Sequence, residues 1–265
     1  MNPLLDLSSR PIIAHRGASA YAPENTLPSF SLALQQGADA LEMDVHLSAD
    51  GVPMVIHDPT LERTTDRSGA VARLTVEQIR EADAGARFSP DGGQTFPWRN
   101  QAVRVPTLAE VLERFPEAPI LLEIKTAMAQ EAVRRTLLER HAEGRCVAAS
   151  EHAAAVESFQ AQPFIAGASG PEIARLYWRS LLGRPNQPVR YRLLSVPVRH
   201  RGLPVPTRWF VAAAQELGCP VHVWTVDQPR LAGRLWARGV AGIVTNRPDV
   251  IRSARDHHPQ TGTMG

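Results

Sequence analysis

Two periods of apolar and polar residues take turns along this chain. Short apolar runs at 12–14, 40–47, 120–124, 146–149, 164–168, 193–198, 221–226 and 243–245 have the length and character of strands. Between most of them lie stretches with helical spacing, at 26–36, 107–115, 129–141, 171–182, 208–217 and 229–238. Strands alternating with helices predict βα units and a parallel sheet. Eight strand candidates is the number that closes a (β/α)8 TIM barrel. The alternative is a doubly wound open sheet, but no glycine-rich dinucleotide loop follows the first strand to support it.

Two segments leave this rhythm. Ala49-Asp50-Gly51 is a turn signal that folds the second strand into a hairpin with 52–57. Residues 58–105 are rich in Pro, Gly, Asp and Arg, with one short helical piece near 76–81. So long a loop in a compact domain is expected to serve the site. The expectation is a single α/β domain over 1–255, with a small cap inserted after the hairpin at about 58–105. The tail, 256–265, is expected to be disordered.

Strand phase carries the chemistry. In Leu41-Glu42-Met43-Asp44-Val45 the two carboxylates share one face and the apolar residues the other. Glu123 and Lys125 likewise alternate with Leu122 and Ile124, and His222 and Trp224 with Val221 and Val223. A barrel strand packs its outer face on helices, so the acids, Lys125, His222 and Trp224 point inward. Dry and unpaired, such charges would be costly. At the C-terminal mouth, where barrel active sites lie, they become reasonable.

Glu42, Asp44 and Glu123 converging on one point would repel unless something positive stood among them. A hard divalent cation, Mg²⁺ or Ca²⁺, suits such an all-oxygen set. The competing reading is a salt-bridge ring in which Glu42 or Asp44 pairs with Lys125 or Arg16. A two-residue Asp50-Gly51 turn pairs Ala49 with Val52 and sets Asp44 opposite His57, on the same face. His15, at the end of the first strand, supplies a second imidazole at that level. Two imidazoles with a metal and an arginine suit acid–base chemistry on an anionic phosphorus centre.

Composition narrows the setting. Of the 265 residues, 43% are hydrophobic and 21% charged, which is an ordinary globular balance. The net charge of +2, read as spread along the chain, gives no basic footprint for nucleic acid. No apolar run approaches the roughly 20 residues of a membrane span. Cys146 and Cys219 lack metal-ligand spacing and are expected to be reduced, in a cytoplasmic protein. Lys125 is the only lysine beside 28 arginines, which suggests that its position needs a compact ammonium.

The segments Ile13-Ala14-His15-Arg16-Gly17, Pro23-Glu24-Asn25-Thr26, Leu41-Glu42-Met43-Asp44-Val45, Val55-Ile56-His57-Asp58, Leu122-Glu123-Ile124-Lys125 and Val223-Trp224-Thr225 together resemble the glycerophosphodiester phosphodiesterase family. The resemblance runs in order from about residue 11 to 250, and 245–249 resembles the family's closing segment. It implies a phospholipase-C-like phosphodiesterase barrel. Glu42, Asp44 and Glu123 would bind one divalent metal, and His15 and His57 would form the acid–base pair. Arg16 and Lys125 would hold the phosphate, and Trp224 would line the substrate pocket. Glu24 and Asn25 match a further motif and are possible additional site residues.

The implied reaction is metal-dependent hydrolysis of a small glycerophosphodiester to sn-glycerol 3-phosphate and an alcohol. Attack by water and attack by the glycerol 2-hydroxyl are both open, as is the order of the histidines. One rival is a lysophospholipid or sphingolipid phosphodiesterase working at membrane surfaces, with an apolar entrance at Phe88, Phe96 and Trp98. Another is a silent barrel that only binds phosphorylated ligands. Trp178, Trp209 and Trp236 read as packing residues, and His141, His152 and His200 as surface residues. His222 reads as an inward layer residue, and the Gly167-Ala168-Ser169-Gly170 spacing is not that of a nucleophile elbow.

Overall fold

The computed structural model describes residues 2–184 and 187–257. Its strands are β1 (Ile12–His15), β2 (Ala40–Leu47), β3 (Pro53–Val55), β4 (Ile120–Ile124), β5 (Cys146–Ala149), β6 (Ile165–Ala166), β7 (Leu194–Pro197), β8 (Arg199–His200), β9 (Leu203–Pro204), β10 (Val221–Trp224) and β11 (Gly242–Thr245). The helices are α1 (Leu27–Gln35), α2 (Val76–Arg80), α3 (Leu108–Arg114), α4 (Gln130–Glu139), α5 (Gly170–Leu181), α6 (Arg208–Glu216), α7 (Pro229–Trp236) and α8 (Pro248–Asp256).

Local chemistry sets the helix starts. Thr26, Thr107 and Thr207 accept a backbone N–H from the first turns of α1, α3 and α6, and Thr107 and Ser169 form capping boxes with Glu110 and Glu172. Proline in the first turn opens α5, α7 and α8 at no hydrogen-bonding cost. Helix α8 follows Pro248 where the hydrophobic pattern gave no helix. Asp256 ends it and His257 caps it, so the expected disorder does not begin at 256. The rest of the tail, including His258, lies outside the described residues.

The parallel strands run in the order β6-β5-β4-β2-β1-β11-β10-β7. Backbone hydrogen bonds from Arg192 to Ala166 (2.8 Å) and from Ala168 to Leu193 (2.9 Å) bring the two ends together. This is an α/β barrel. The connection after β5 uses two short 3-10 turns in place of a helix.

The predicted strand phase is observed. Leu41, Met43, Val45, Leu122 and Ile124 pack outward with the helix side chains Phe30, Leu108, Val111 and Val133. Ile13, Ala40, Leu121, Val147, Leu193 and Val244 form the interior layer, with Leu4 of the N-terminal segment closing it from below. The 58–105 segment has a small apolar cluster of its own, in which Leu61, Val71, Ile79 and Val103 join Met54 and Ile56 of the hairpin.

One prediction fails here. Val45 pairs with Val55 and Leu47 with Pro53, and the Ile56 N–H donates to the Asp44 carbonyl at 3.0 Å. The turn therefore has three residues, 49–51, with Gly51 at φ 78°. Ile56, not His57, stands opposite Asp44. Gly51 supplies the left-handed conformation that a type I turn followed by a bulge requires, so the three-residue loop wins over the two-residue one.

Candidate active site

At the end of β1 the chain turns so sharply that Arg16 and Gly17 have φ of 55° and 86°. A Cβ at Gly17 would lie 2.2 Å from the Ser29 hydroxyl, so only glycine fits. The turn throws Arg16 across the barrel mouth. Its N–H donates to Glu42 Oε2 at 2.9 Å, its Nη1 lies 3.0 Å from Glu24 Oε1, and its Nε lies 3.2 Å from Asp44 Oδ2. Asn25, itself at φ 57°, donates its amide to Asp44 Oδ2 at 2.9 Å. Lys125, just past β4, sits 2.8 Å from both Asp44 Oδ1 and Glu123 Oε1.

Glu42, Asp44 and Glu123 each bring a carboxylate oxygen to a common point, all within 4.8 Å of one another. The ion pairs of the competing reading exist too, but they do not satisfy the cluster. Asp44 is raised by burial, yet Lys125 and Arg16 outweigh that and hold it below the usual carboxylate range. Glu42 goes the other way. Burial, then the charges of Asp44 and Glu123, push it well above its ordinary value, and the charge of Arg16 and its backbone N–H offset them only in part. Glu123 is likewise raised, mainly by burial. Three carboxylates share Arg16 and Lys125, and Glu42 has no side-chain cation at hydrogen-bond distance among the described residues. This oxygen-only, under-neutralised set fits a hard divalent cation.

The two histidines are held by different devices. The Asn246 amide donates to Asp227 at 2.8 Å, which turns its Oδ1 toward His15 Nδ1 at 2.7 Å. Oδ1 only accepts, so Nδ1 carries the proton and Nε2 is left as the basic nitrogen. Burial, then Arg16, keeps His15 below the usual imidazole value, and the ring is neutral at pH 7. His57 Nδ1 lies 2.6 Å from Asp58 Oδ1, and Arg63 binds both Asp58 and Glu24 at 2.6–2.8 Å. Arg63, with a smaller push from His57, drops Asp58 to about 2. Glu24 is thus a strut between Arg16 and Arg63, linking the His57 side of the mouth to the carboxylates.

His57 lines the cavity even though its register differs from the predicted one: it lies beyond the end of β3 at Val55, outside the ladder that fixes the face of a strand residue. Trp224 also lines the cavity. Sequence reasoning missed His46, buried on the same inward face as Glu42 and Asp44, with Nε2 3.0 Å from the His57 carbonyl. Continuing the period-two count by one step would have found it. Arg63, Asp227 and the orienting role of Asn246 carried no local signal. Phe88, Phe96 and Trp98 do not line the mouth. Phe96 lies under the Arg99 guanidinium, and Trp98 donates to the Tyr21 carbonyl.

A barrel whose mouth gathers three carboxylates, two oriented imidazoles and two cations defines a hydrolase for anionic esters. The comparisons are more particular. The glycerophosphoryl diester phosphodiesterase family matches residues 15–250. YhdW of Bacillus subtilis (strain 168) is 36% identical over 252 residues, which are 91% of this chain and 96% of that protein. A glycerophosphodiester phosphodiesterase of Caldanaerobacter subterraneus subsp. tengcongensis is 32% identical over 248 residues, 91% and 95% of the two chains. Among solved structures, an Oleispira antarctica phosphodiesterase in complex with the product sn-glycerol-3-phosphate superposes with a TM-score of 0.75 at 27% identity, covering 93% of this chain and 96% of its own. The chain belongs to the glycerophosphoryl diester phosphodiesterase family.

Proposed function

We propose that this protein hydrolyses glycerophosphodiesters to sn-glycerol 3-phosphate and an alcohol, with one divalent cation, Mg²⁺ or Ca²⁺, held by Glu42, Asp44 and Glu123. The observation that carries the reading is the under-neutralised carboxylate trio set between two independently oriented histidines. The bound cation would neutralise charge on the phosphoryl oxygens. Arg16 and Lys125 would bind the same oxygens as their charge grows, from fixed positions that need no reorganisation. His15, neutral with Nε2 unprotonated, takes the proton of the attacking hydroxyl. His57, its Nδ1 tied to Asp58, protonates the departing alkoxide through Nε2. Asn25 would keep Asp44 oriented toward the cation, and Trp224 would bound the substrate pocket.

Family membership and the product complex of the Oleispira relative support the substrate class. Among the described residues no helix is long and apolar enough to cross a membrane. Cys146 and Cys219 are free and buried, which supports a cytoplasmic setting. The test is turnover of glycerophosphocholine before and after EDTA. Chelation should abolish activity and Mg²⁺ or Ca²⁺ should restore it. Full activity after exhaustive chelation would remove the metal from the mechanism.

A further inference from the structure

The cavity at the mouth is larger than the chemistry needs. Its volume is about 860 Å³, and it runs from the carboxylates to a wall made by α5 and the β8–β9 hairpin. Ile173, Ala174, Tyr177, Trp178, Leu203 and Val205 line that wall, and no Asp, Glu, Lys or Arg does. Trp178 is 56% exposed and Leu203 51%, so Trp178 is not the packing residue that its helical setting suggests. Trp209 is exposed as well, and of the three helical tryptophans only Trp236 packs into the core. Exposed aliphatic and aromatic groups continuous with a catalytic cavity mark a place for apolar ligand surface.

The electrostatic surroundings restrict what that ligand is. The arginines are not evenly spread. Between residues 173 and 248 the chain has twelve arginines and only two carboxylates, Glu216 and Asp227. Asp227 is occupied by Thr245 and Asn246. An aromatic wall facing a cationic head group such as choline would need carboxylates nearby to offset this field. The lining side chains of the wall carry none: Glu172 of α5 is taken up by Ser169, and Glu151 lines the cavity beside the start of α5 instead of along the wall, whose aliphatic half suits methylene groups.

We infer that this enzyme takes glycerophosphodiesters bearing one long apolar chain, the lysophospholipid class, with the chain lying along the α5 and β8–β9 wall. This rests on the phosphodiesterase reading and adds the substrate's apolar arm to it. The entrance is the wall of Trp178 and Leu203, on the opposite side of the sequence from the 58–105 segment.

The test keeps the head group constant. Glycerophosphocholine and its 1-acyl derivatives of six, eight and ten carbons are compared below their micelle concentrations, in saturating Mg²⁺ or Ca²⁺. kcat/KM should rise by at least about tenfold from no chain to eight carbons, since burying even two methylenes is worth roughly that factor. Trp178→Ser and Leu203→Ser should erase most of the gain while leaving glycerophosphocholine turnover within about twofold of the parent. A flat series, with glycerophosphocholine turned over, would overturn the chain site and leave the phosphodiesterase reading standing. Equal damage by Trp178→Ser to the chain-free and acylated substrates would overturn it in favour of a head-group cage. No turnover of any member would overturn both readings.

Discussion

The two ends of the barrel use the same strands and the same inward face to opposite effect. At the floor, Ile13, Ala40, Leu121, Val147 and Val244 fill the interior with Leu4 beneath them. Beside this layer His222 is fully buried, with Nε2 2.9 Å from the Leu4 carbonyl. Burial holds it down to about 4, so it stays neutral and structural. Two residues further along β1, β2 and β4 stand His15, Glu42 and Glu123, and two beyond those stand Asp44 and Lys125. Asp44, Glu123 and Lys125 tolerate burial because each sits against an opposite charge, and Glu42 accepts the Arg16 backbone N–H. His15 and His222 are both inward-facing and both depressed by burial. What separates them is depth: Nε2 of His222 is spent on the Leu4 carbonyl, whereas His15, held through Nδ1 by Asn246, lines the cavity.

Removing the mouth histidines tests this contrast most severely. His57→Ala should lower glycerophosphocholine turnover by about 10²- to 10⁴-fold. An activated p-nitrophenyl ester, whose leaving group needs little protonation, should suffer much less. His15→Ala should impair both substrates alike. The opposite selectivity in the two mutants would exchange the roles of acid and base. Loss of metal affinity in His57→Ala, with unchanged leaving-group sensitivity, would make His57 a ligand or scaffold residue.

At the floor the expected effect is on stability. The His222 pKa is about 4 when folded and near 6.5 when free, so the unfolded chain binds the proton more readily. Its contribution is fully present above about pH 6.5 and is lost as pH falls toward 4, amounting to about 3 kcal/mol. His222→Gln keeps a donor for the Leu4 carbonyl and removes the titration. Denaturation at pH 7 and pH 4 should show a smaller acid loss in the variant, with kcat unchanged at pH 7. An equal acid loss would mean that the floor is wet.

The mildest test returns to the mouth. Lys125→Arg keeps the charge but replaces a compact ammonium, placed 2.8 Å from two carboxylates, with a bulkier planar fork. kcat/KM should fall by at least about tenfold, on the order of 1.4 kcal/mol. A kinetically silent variant would make the solitary lysine an accident of composition.

Much of this was legible locally. Alternation in 41–45 and 122–125 assigned the inward acids and Lys125, because side chains in a strand point to alternate faces whatever surrounds it. The same count would have reached His46. The hairpin was misread by one residue because loop length depends on the backbone conformation of Gly51, which the turn residues alone leave open between two- and three-residue forms. His57 reached the mouth anyway, since its position is set by where β3 ends.

The strand–helix alternation, the inward phase and the set of acids, histidines and cations were all readable from the order of residues. These follow from backbone periodicity and from side-chain chemistry, both of which are local. Tertiary structure alone decided which inward histidine lines the mouth and which is buried in the floor. It brought Asn246 to His15 across 231 residues, and Arg63 to Glu24 across 39. It also left Trp178 and Leu203 exposed along the cavity instead of packed. Contacts of that kind depend on closing the barrel, and no local periodicity encodes how distant strand ends and loops meet once it has closed.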